Sequence, residues 1–241
     1  MDTGLYVGLS SQMALERRLS TVAHNIANAN TVGFRPSQIR FEEVLDGVAT
    51  RSPSFVSEGQ SFANTAKGAL EQTGNSLDFA VKGGFWFSVE TPAGTVVTRD
   101  GRFKMTNEGA LVSLDGHPVL DPGGAPIQLN PAGGTPQVSN DGFLMQNGQQ
   151  IGAIGIFEYD PQANFKRYGN SGIVTHQPPV AVVDDPQAGV VQGYVEKSGV
   201  NAVDEMSKLI MIHRNFENIT SLLRDSESSL EAAIKTLGGS S

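Results

Sequence analysis

The residues best suited to chemistry in this sequence are its histidines, carboxylates and serines. The four histidines are His24, His117, His176 and His213. No two of them have the i, i+4 spacing that lets two imidazoles bind one zinc ion from the same face of a helix. A lone histidine on a helix is more often packed or solvated than catalytic. The histidines therefore indicate neither a metal site nor an acid–base pair.

Several aspartates in the middle of the chain stand next to glycine or proline. They are Asp100, Asp115, Asp121 and Asp141. Such residues are explained by side-chain hydrogen bonds to the backbone of a turn. A secreted carbohydrate hydrolase is the alternative function that would use Asp100 and Asp141, and it requires two carboxylates that converge in one cleft.

Nucleophile and phosphate-binding motifs are also missing from the sequence. Ser10 and Ser11 follow Gly8-Leu9, but no G-x-S-x-G pattern surrounds them. The glycine pairs that begin at Gly83, Gly123 and Gly133 form neither G-x-G-x-x-G nor a P-loop. The chain has no cysteine, which excludes disulfides and thiol catalysis. The sequence therefore predicts a protein that is not an enzyme and has no cofactor or metal.

Charge is sparse and unevenly placed. Charged residues make up 17% of the 241 residues, and the net charge is −8. Residues 46–196 hold eight basic and fifteen acidic residues, so both ends are nearly neutral. A net negative chain argues against a nucleic-acid partner. No apolar run is long enough to predict insertion into a membrane, and the first residues, MDTGLYVGLSSQM, lack the pattern of a cleaved signal peptide.

The N-terminal element that would position functional residues is an amphipathic helix over about Thr3–Ala29. Its apolar residues recur at helical spacing. They are Leu5, Leu9, Met13, Leu15, Leu19, Val22 and Ile26. Pro36 biases Arg35 away from helical geometry, so the helix ends before that point. A run rich in asparagine lies between the two positions.

The C-terminal element shows a seven-residue repeat. Its first set is Leu209, Phe216, Leu223, Leu230 and Leu237, and its second is Ile212, Ile219, Ser226 and Ala233. Met206 and Ile210 widen the apolar stripe at its start. This pattern predicts a coiled-coil-like helix, which we expect to pair with the N-terminal helix.

The middle of the chain has short runs rich in Val, Phe and Ile that are separated by turns in which a positive φ is readily adopted. These turns are Asp100-Gly101, Asp115-Gly116, Asp141-Gly142 and Asn147-Gly148. The sequence thus predicts an α+β fold in which paired terminal helices flank a central all-β domain, an antiparallel sheet or barrel. We divide the chain into an N-terminal axial helix with its asparagine-rich motif at 1–45, an extended linker at 46–76, the β domain at 77–196 and the C-terminal helix at 197–241.

Three stretches carry a resemblance to a known family. VAHNIANANTVGFR, at 22–35, resembles the N-terminal signature of bacterial flagellar axial proteins, although His24 stands where that family usually has asparagine. GYVEKSGVNAVDEM followed by IHRNFE resembles the family's C-terminal block, with Gly199 and Phe216 replacing the usual asparagine and tyrosine. TGNSLDFAVKGGFWFSVETPAGTVVTRDGRF, at 73–103, is similar to the segment that opens the family's β domain.

The resemblance, together with the first residues and the modest length, implies a subunit of the basal-body rod in its proximal part. It implies export through the flagellar type III apparatus without a cleaved signal peptide, and polymerisation in the periplasm around a central channel. The expected partners are copies of the chain, other rod subunits and the export apparatus. A distal-rod or other axial subunit is the alternative within the family.

Under this hypothesis the functional residues are those that pack helices and join subunits. We expect the helices to form the inner layer of a tube, with the β domain outside. We expect the asparagines to satisfy backbone groups at the helix end and to bridge subunits. The candidate residues are Leu5, Leu9, Leu19, Val22, Asn25, Ile26, Asn28, Gly33, Phe34, Met206, Leu209, Ile212, Phe216, Ile219, Leu223, Leu230 and Leu237.

Overall fold

The structure is a computed structural model that describes residues 2–41, 43–45, 54–56, 59–64, 66–161, 165–183 and 185–238. The chain divides into two compact units. The helical unit comprises Met1–Ala27, Ser37–Ser61 and Asn201–Ser241. The β unit comprises Asn28–Pro36 and Phe62–Val200. The predicted α+β class, with a helix at each end of a β-rich region, is confirmed.

Two helices form the helical unit together with short strands. Helix α1 spans Asp2–Ala27 and helix α2 spans Ala202–Gly238. Helix α2 begins at its cap Asn201, whose Oδ1 accepts hydrogen bonds from the amides of Val203 and Asp204 at 3.1 and 3.4 Å. Its 37 residues extend over about 55 Å, so α2 is longer than α1. Helix α2 starts several residues before the heptad repeat.

Strands also occur before the predicted β domain, both at the end of the predicted N-terminal segment and in the predicted extended linker. The strands in this early part of the chain are β1 (Ser37–Arg40), β2 (Glu43–Leu45), β3 (Ser54–Val56), β4 (Gln60–Ala63) and β5 (Leu70–Gln72). Strands β2 and β3 form an antiparallel pair, and β5 pairs with a strand near the C-terminal block. The two compact units interleave in sequence and do not follow one continuous stretch each. The predicted division of the chain at residues 46 and 77 therefore stays a prediction.

The β unit holds the remaining strands. They are β6 (Phe79–Val81), β7 (Phe87–Thr91), β8 (Gly94–Thr98), β9 (Phe103–Met105), β10 (Leu111–Ser113), β11 (Gln137–Val138), β12 (Phe143–Gln146), β13 (Gln149–Ala153), β14 (Phe157–Glu158), β15 (Arg167–Tyr168), β16 (Gly172–Val174), β17 (Val180–Ala181), β18 (Val190–Gln192) and β19 (Tyr194–Glu196). All of the registered pairings are antiparallel, as predicted. The largest sheet has the order β15-β16-β8-β7, and the described strands do not close into a barrel.

The core of the β unit lies on both faces of β8. Val96 belongs to a large apolar cluster built around Phe79, Phe87 and Phe103, whose rings lie 5.4–6.0 Å apart. Val97 belongs to a second cluster with Trp86, Phe165 and Ile173. Successive side chains of a strand point to opposite faces, so the consecutive valines bury both faces of β8.

The glycine turns follow the sequence prediction with one exception. Asn147 and Gly148 have φ values of 50° and 76° and connect β12 to β13 as a two-residue hairpin turn. Gly101, which the sequence analysis grouped with such turns, does not have a positive φ. A Cβ atom at residue 101 would lie 1.8 Å from the carbonyl oxygen of Phe79, so glycine is required there by close backbone approach.

Candidate assembly site

The two terminal helices pack against each other within the helical unit. Val22 is buried on α1, and the predicted heptad positions of α2 that can be described are half-buried. These half-buried residues are Leu209, Ile212, Phe216, Ile219 and Leu223, and Leu19 and Ile26 of α1 are also half-buried. The two helices approach closely at Gly8, where an added Cβ would lie 2.6 Å from Cδ2 of Leu223.

Other predicted packing residues are exposed in the isolated chain. Leu9 is 47% exposed and Met206 is 53% exposed. Met13 on α1, and Val203 and Ile210 on α2, are also exposed. The side chains of Leu5, Leu230 and Leu237 lie outside the described part of the structure. Large apolar side chains therefore remain uncovered near the start of each helix.

A groove of about 630 Å³ lies between α1, α2 and β1. It is lined by Ser11, Ala14, Leu15, Arg18, Ile39, Arg40, Phe41, Asn215, Asn218 and Ile219. The guanidinium carbon of Arg18 lies 5.6 Å from the centre of the Phe41 ring. The walls combine apolar and amide side chains, a composition that suits contact with another protein chain.

Asn25 is committed to contacts within its own chain. Its Nδ2 donates to the carbonyl oxygen of Ser37 at 2.9 Å and to Oε2 of Glu205 at 3.0 Å. Its Oδ1 accepts from the amide of Ser37 at 2.9 Å. Asn25 and Glu205 are both buried, and Glu205 also pairs with Lys208 at 2.5 Å. The amide thus fastens the last turn of α1 to β1 and to the first turn of α2.

The chain leaves α1 through a tight turn in the β unit. Asn28 is buried and its Oδ1 accepts from Oγ1 of Thr31 at 3.0 Å. Gly33 has a φ of 69°, and a Cβ there would lie 2.3 Å from the amide nitrogen of Asp100. Phe34 is 1% exposed, and the guanidinium carbon of Arg167 lies 4.5 Å from the centre of its ring. Glycine followed by a buried aromatic anchor therefore fixes this segment against the β unit.

Three charged residues meet in the interior of the β unit. Arg35 Nη2 and Arg99 Nη1 each lie 2.9 Å from an oxygen of Glu196, and all three side chains are buried. We call these residues the Arg–Glu–Arg triad. Glu196 Oε1 also accepts from the amide of Gly68 at 3.0 Å. Two guanidinium cations thus share one carboxylate, which leaves one excess positive charge in the interior.

Carbonyl groups and an indole ring accommodate the excess charge. Arg99 donates to the carbonyls of Val81 and Gly83 at 3.1 and 2.9 Å, and Arg35 donates to the carbonyl of Ala66. The indole of Trp86 lies 5.8 Å from the guanidinium carbon of Arg35 and 5.4 Å from that of Arg99, distances suited to cation–π attraction.

Burial shifts the titration of these arginines. The pKa of Arg99 is lowered to about 10. Burial is the main cause, the charge of Arg35 acts in the same direction, and the attraction of Glu196 opposes both. Burial also lowers the pKa of Arg35, and it lowers the pKa of Arg167 to about 10. With pKa values of about 10, Arg99 and Arg167 are charged at neutral pH.

Sequence reasoning missed the roles of Arg99, Glu196, Arg167 and Glu205. Arg99 directly follows strand β8, after TVVT, and Glu196 is the last residue of β19, after GYV. A charge at the end of a strand was the available signal, but its partner lies far away in sequence. Burial of Glu205 carried no signal, because acidic residues in the first turn of a helix are common on exposed faces too.

The two aspartates considered for a hydrolase have different surroundings. Asp100 forms an ion pair with Arg102 at 2.6 Å, and Asp141 is exposed in the turn before β12. Within the described ranges, no three His, Asp or Glu side chains are grouped as they would be around a metal ion. None of the helices, over the residues searched, has the length and apolar character needed to span a membrane.

Comparison with protein families gives three matches in chain order. The family described as flagella basal body rod protein matches residues 5–35, the flagellar hook protein FlgE/F/G D1 domain matches 80–146, and the flagellar basal body rod FlgEFG protein C-terminal family matches 191–236. Each matched range contributes one member of the triad, because Arg35, Arg99 and Glu196 fall in the three ranges in that order. The chain belongs to the flagellar basal-body rod protein family.

Two relatives similar over the full length carry a more particular name. The flagellar basal-body rod protein FlgF of Mesorhizobium japonicum is 54% identical over 241 residues, which covers 100% of both chains. FlgF of Rhizobium meliloti is 55% identical over 240 residues and is also covered completely. The rod protein FlgG of Bacillus subtilis is 28% identical over 264 residues, covering 97% of this chain and 98% of that protein.

Proposed function

We propose that this protein is a structural subunit of the flagellar basal-body rod, and that it occupies the proximal part. The full-length similarity to proteins named FlgF supports this proposal, as does the lower similarity to the FlgG of Bacillus subtilis. In this function the protein transmits force and encloses a channel, and it carries out no reaction.

The observation that carries the assembly mechanism is the uncovered apolar surface of the helical unit. Leu9 and Met13 are spaced by four residues on α1, and Val203, Met206 and Ile210 follow one face of α2. Apolar side chains in such patches are favourably covered by another protein. We propose that the terminal helices of neighbouring subunits cover them, so that the chain polymerises with itself and with other rod subunits.

The proposed mechanism gives the predicted residues two roles. Leu19, Val22 and Ile26 pack α1 against Leu209, Ile212, Phe216, Ile219 and Leu223 of α2 within a subunit. Leu9 and Met206 contact neighbouring subunits, as we expect Leu5, Leu230 and Leu237 to do. Asn25, Asn28, Gly33 and Phe34 fix the chain segment that leaves α1. The subunit reaches the rod through the flagellar type III export apparatus, without a cleaved signal peptide, and assembles in the periplasm.

The position in the rod can be tested by labelling, because the chain has no cysteine. Gln149 is exposed at the hairpin turn after Gly148, so Gln149→Cys offers one thiol for a maleimide–gold label. Electron microscopy of basal bodies from a motile strain carrying this variant should show gold in the proximal rod. Basal bodies with the unsubstituted chain serve as the control. Label confined to the distal rod or to the hook would contradict the proximal assignment and support the alternative axial positions.

A further inference from the structure

We propose that Glu196 makes the docking of residues 28–36 conditional on the docking of strand β19, so that the β unit closes only when the C-terminal block is in place. The inference concerns the β unit alone and does not depend on the position in the rod. It rests on the charges of the Arg–Glu–Arg triad and on the backbone contacts that surround them.

The first step is the charge balance. Glu196 is the carboxylate that pairs with both Arg35 and Arg99, at 2.9 Å each. The two guanidinium groups repel each other, as the lowered pKa of Arg99 in the field of Arg35 reflects. Without Glu196 the interior would hold two like charges beside the same indole ring. A buried charge that loses its partner costs far more than the pair contributes when intact.

The second step is the backbone. The amide of Gly33 donates to the carbonyl oxygen of Glu196 at 2.7 Å, and the amide of Gly199 donates to that of Phe34 at 2.9 Å. These bonds join the segment that carries Arg35 directly to the strand that carries Glu196. The two segments are therefore held together by an ion pair and by reciprocal backbone bonds on either side of it.

The third step is the closeness of packing at this crossing. A Cβ added at Gly68 would lie 1.8 Å from the carbonyl oxygen of Lys197. A Cβ added at Gly199 would lie 2.4 Å from the carbonyl oxygen of Ala66. The segments near 33, 68, 100 and 197 thus meet backbone to backbone, with no side chains between them. Such close backbone contacts leave little space for the two guanidinium groups to move apart within the docked segment, so we expect the N-terminal segment itself to detach when the carboxylate is removed.

The test uses hydrogen exchange on the purified full-length chain carrying Glu196→Gln, which keeps the side-chain shape and removes its charge. The reporters are the amides of Gly33 and Gly199, compared with the core amides of Leu111 and Ile127, which bond to backbone carbonyls. We expect exchange of the two reporters to accelerate by roughly a hundredfold or more, and by a larger factor than exchange of the core amides. Glu71→Gln is the matched control, because Glu71 is 55% exposed and pairs with Lys197 at 3.3 Å.

A second variant keeps the proposal testable if Glu196→Gln unfolds the β unit. In Arg35→Met/Glu196→Met the repelling charge on the N-terminal segment is absent, so exchange at Gly33 should be slower than in Glu196→Met alone. The core amides report the separate cost of leaving Arg99 without its carboxylate. Additive effects of the two substitutions would contradict a charge-dependent link. Equal acceleration at the reporter and core amides in Glu196→Gln, with no recovery in the double variant, would show that Glu196 only contributes to global stability.

Discussion

Gly8 of α1 lies directly against Leu223 of α2, since a Cβ at residue 8 would lie only 2.6 Å from Cδ2 of Leu223. Glycine inside a helix costs up to about 1 kcal/mol relative to alanine. The close approach gives that cost a structural reason, because it allows the leucine to lie directly on the backbone of α1. The pairing of the helices therefore has a defined register, which can be tested.

The register predicts a specific cross-link. In a chain without other cysteines, Gly8→Cys/Leu223→Cys should form an intramolecular disulfide on mild oxidation, because the two side chains meet at this point. The measurement is the shift in mobility on non-reducing electrophoresis. Ser20→Cys/Leu223→Cys is the control pair, since residue 20 lies about 18 Å further along α1. Equal cross-linking of both pairs would mean that the helices have no fixed register.

A second prediction concerns the buried amide of Asn25. Asn25→Asp removes the donor to Ser37 and places a carboxylate beside Glu205, where Nδ2 now lies 3.0 Å from Oε2. The substitution should destabilise the helical unit by roughly 1–3 kcal/mol. Denaturant unfolding followed by the helical signal measures the loss. Asn30→Asp, at an exposed position of the same motif, should change stability by less than about 0.5 kcal/mol. Similar losses in the two variants would contradict the role given to Asn25.

The sequence predicted the parts of this fold that depend on local patterns. The helix over about Thr3–Ala29 is observed as α1, Asp2–Ala27, because its apolar spacing and the turn before Pro36 act locally. The Asn147-Gly148 hairpin follows from the φ values that these two residues adopt. Both features need only a few neighbouring residues to be specified.

The interior of the β unit could not be predicted in this way. Glu196 is joined to Arg35 and Arg99, which lie about 160 and 100 residues earlier in sequence, and no spacing rule links them. Gly101 was assigned to the wrong cause because a glycine that permits close approach and one that permits a positive φ look identical in sequence. Asn25 was expected to satisfy a helix end and bridge subunits, which stays a prediction. Its bonds to β1 and to Glu205 within its own chain had no signal in the sequence.

The lowered pKa of Arg99 gives a third prediction. Burial lowers the pKa of Arg99 from its ordinary value to about 10 in the folded chain. From pH 7 to 9 the group is protonated in both the folded and the unfolded states, so it adds no pH dependence. Above pH 10 the unfolded state binds the proton more tightly than the folded state, and stability from this group rises with pH.

The difference in unfolding free energy between wild type and Arg99→Met isolates this effect from other titrating groups. This difference in unfolding free energy should be constant from pH 7 to 9. At pH 11 the wild type should gain about 1 kcal/mol relative to Arg99→Met. Denaturant unfolding of both chains at each pH is the measurement, with Lys104→Met, an exposed cation on β9, as the control substitution. A shift of the opposite sign would contradict the lowered pKa.

A fourth prediction addresses assembly. Phe216→Asp places an unpaired carboxylate among half-buried apolar residues of the helix pair, which is costly. We expect loss of motility and of incorporation into rods, with the unfolding free energy of the β unit unchanged within about 0.5 kcal/mol. Ser221→Asp adds the same charge at an exposed position of α2 and should assemble normally. Normal incorporation of Phe216→Asp would refute the helix packing proposed for the rod.

The central claim is that this chain is a proximal-rod subunit on which the rest of the axial structure is built. The measurement that tests it most directly is electron microscopy of basal bodies purified from a strain that lacks this gene. The claim predicts basal bodies that stop at the inner-membrane ring, without a distal rod or a hook, and restoration of both by the wild-type gene. A complete rod and hook assembled without this protein would contradict it.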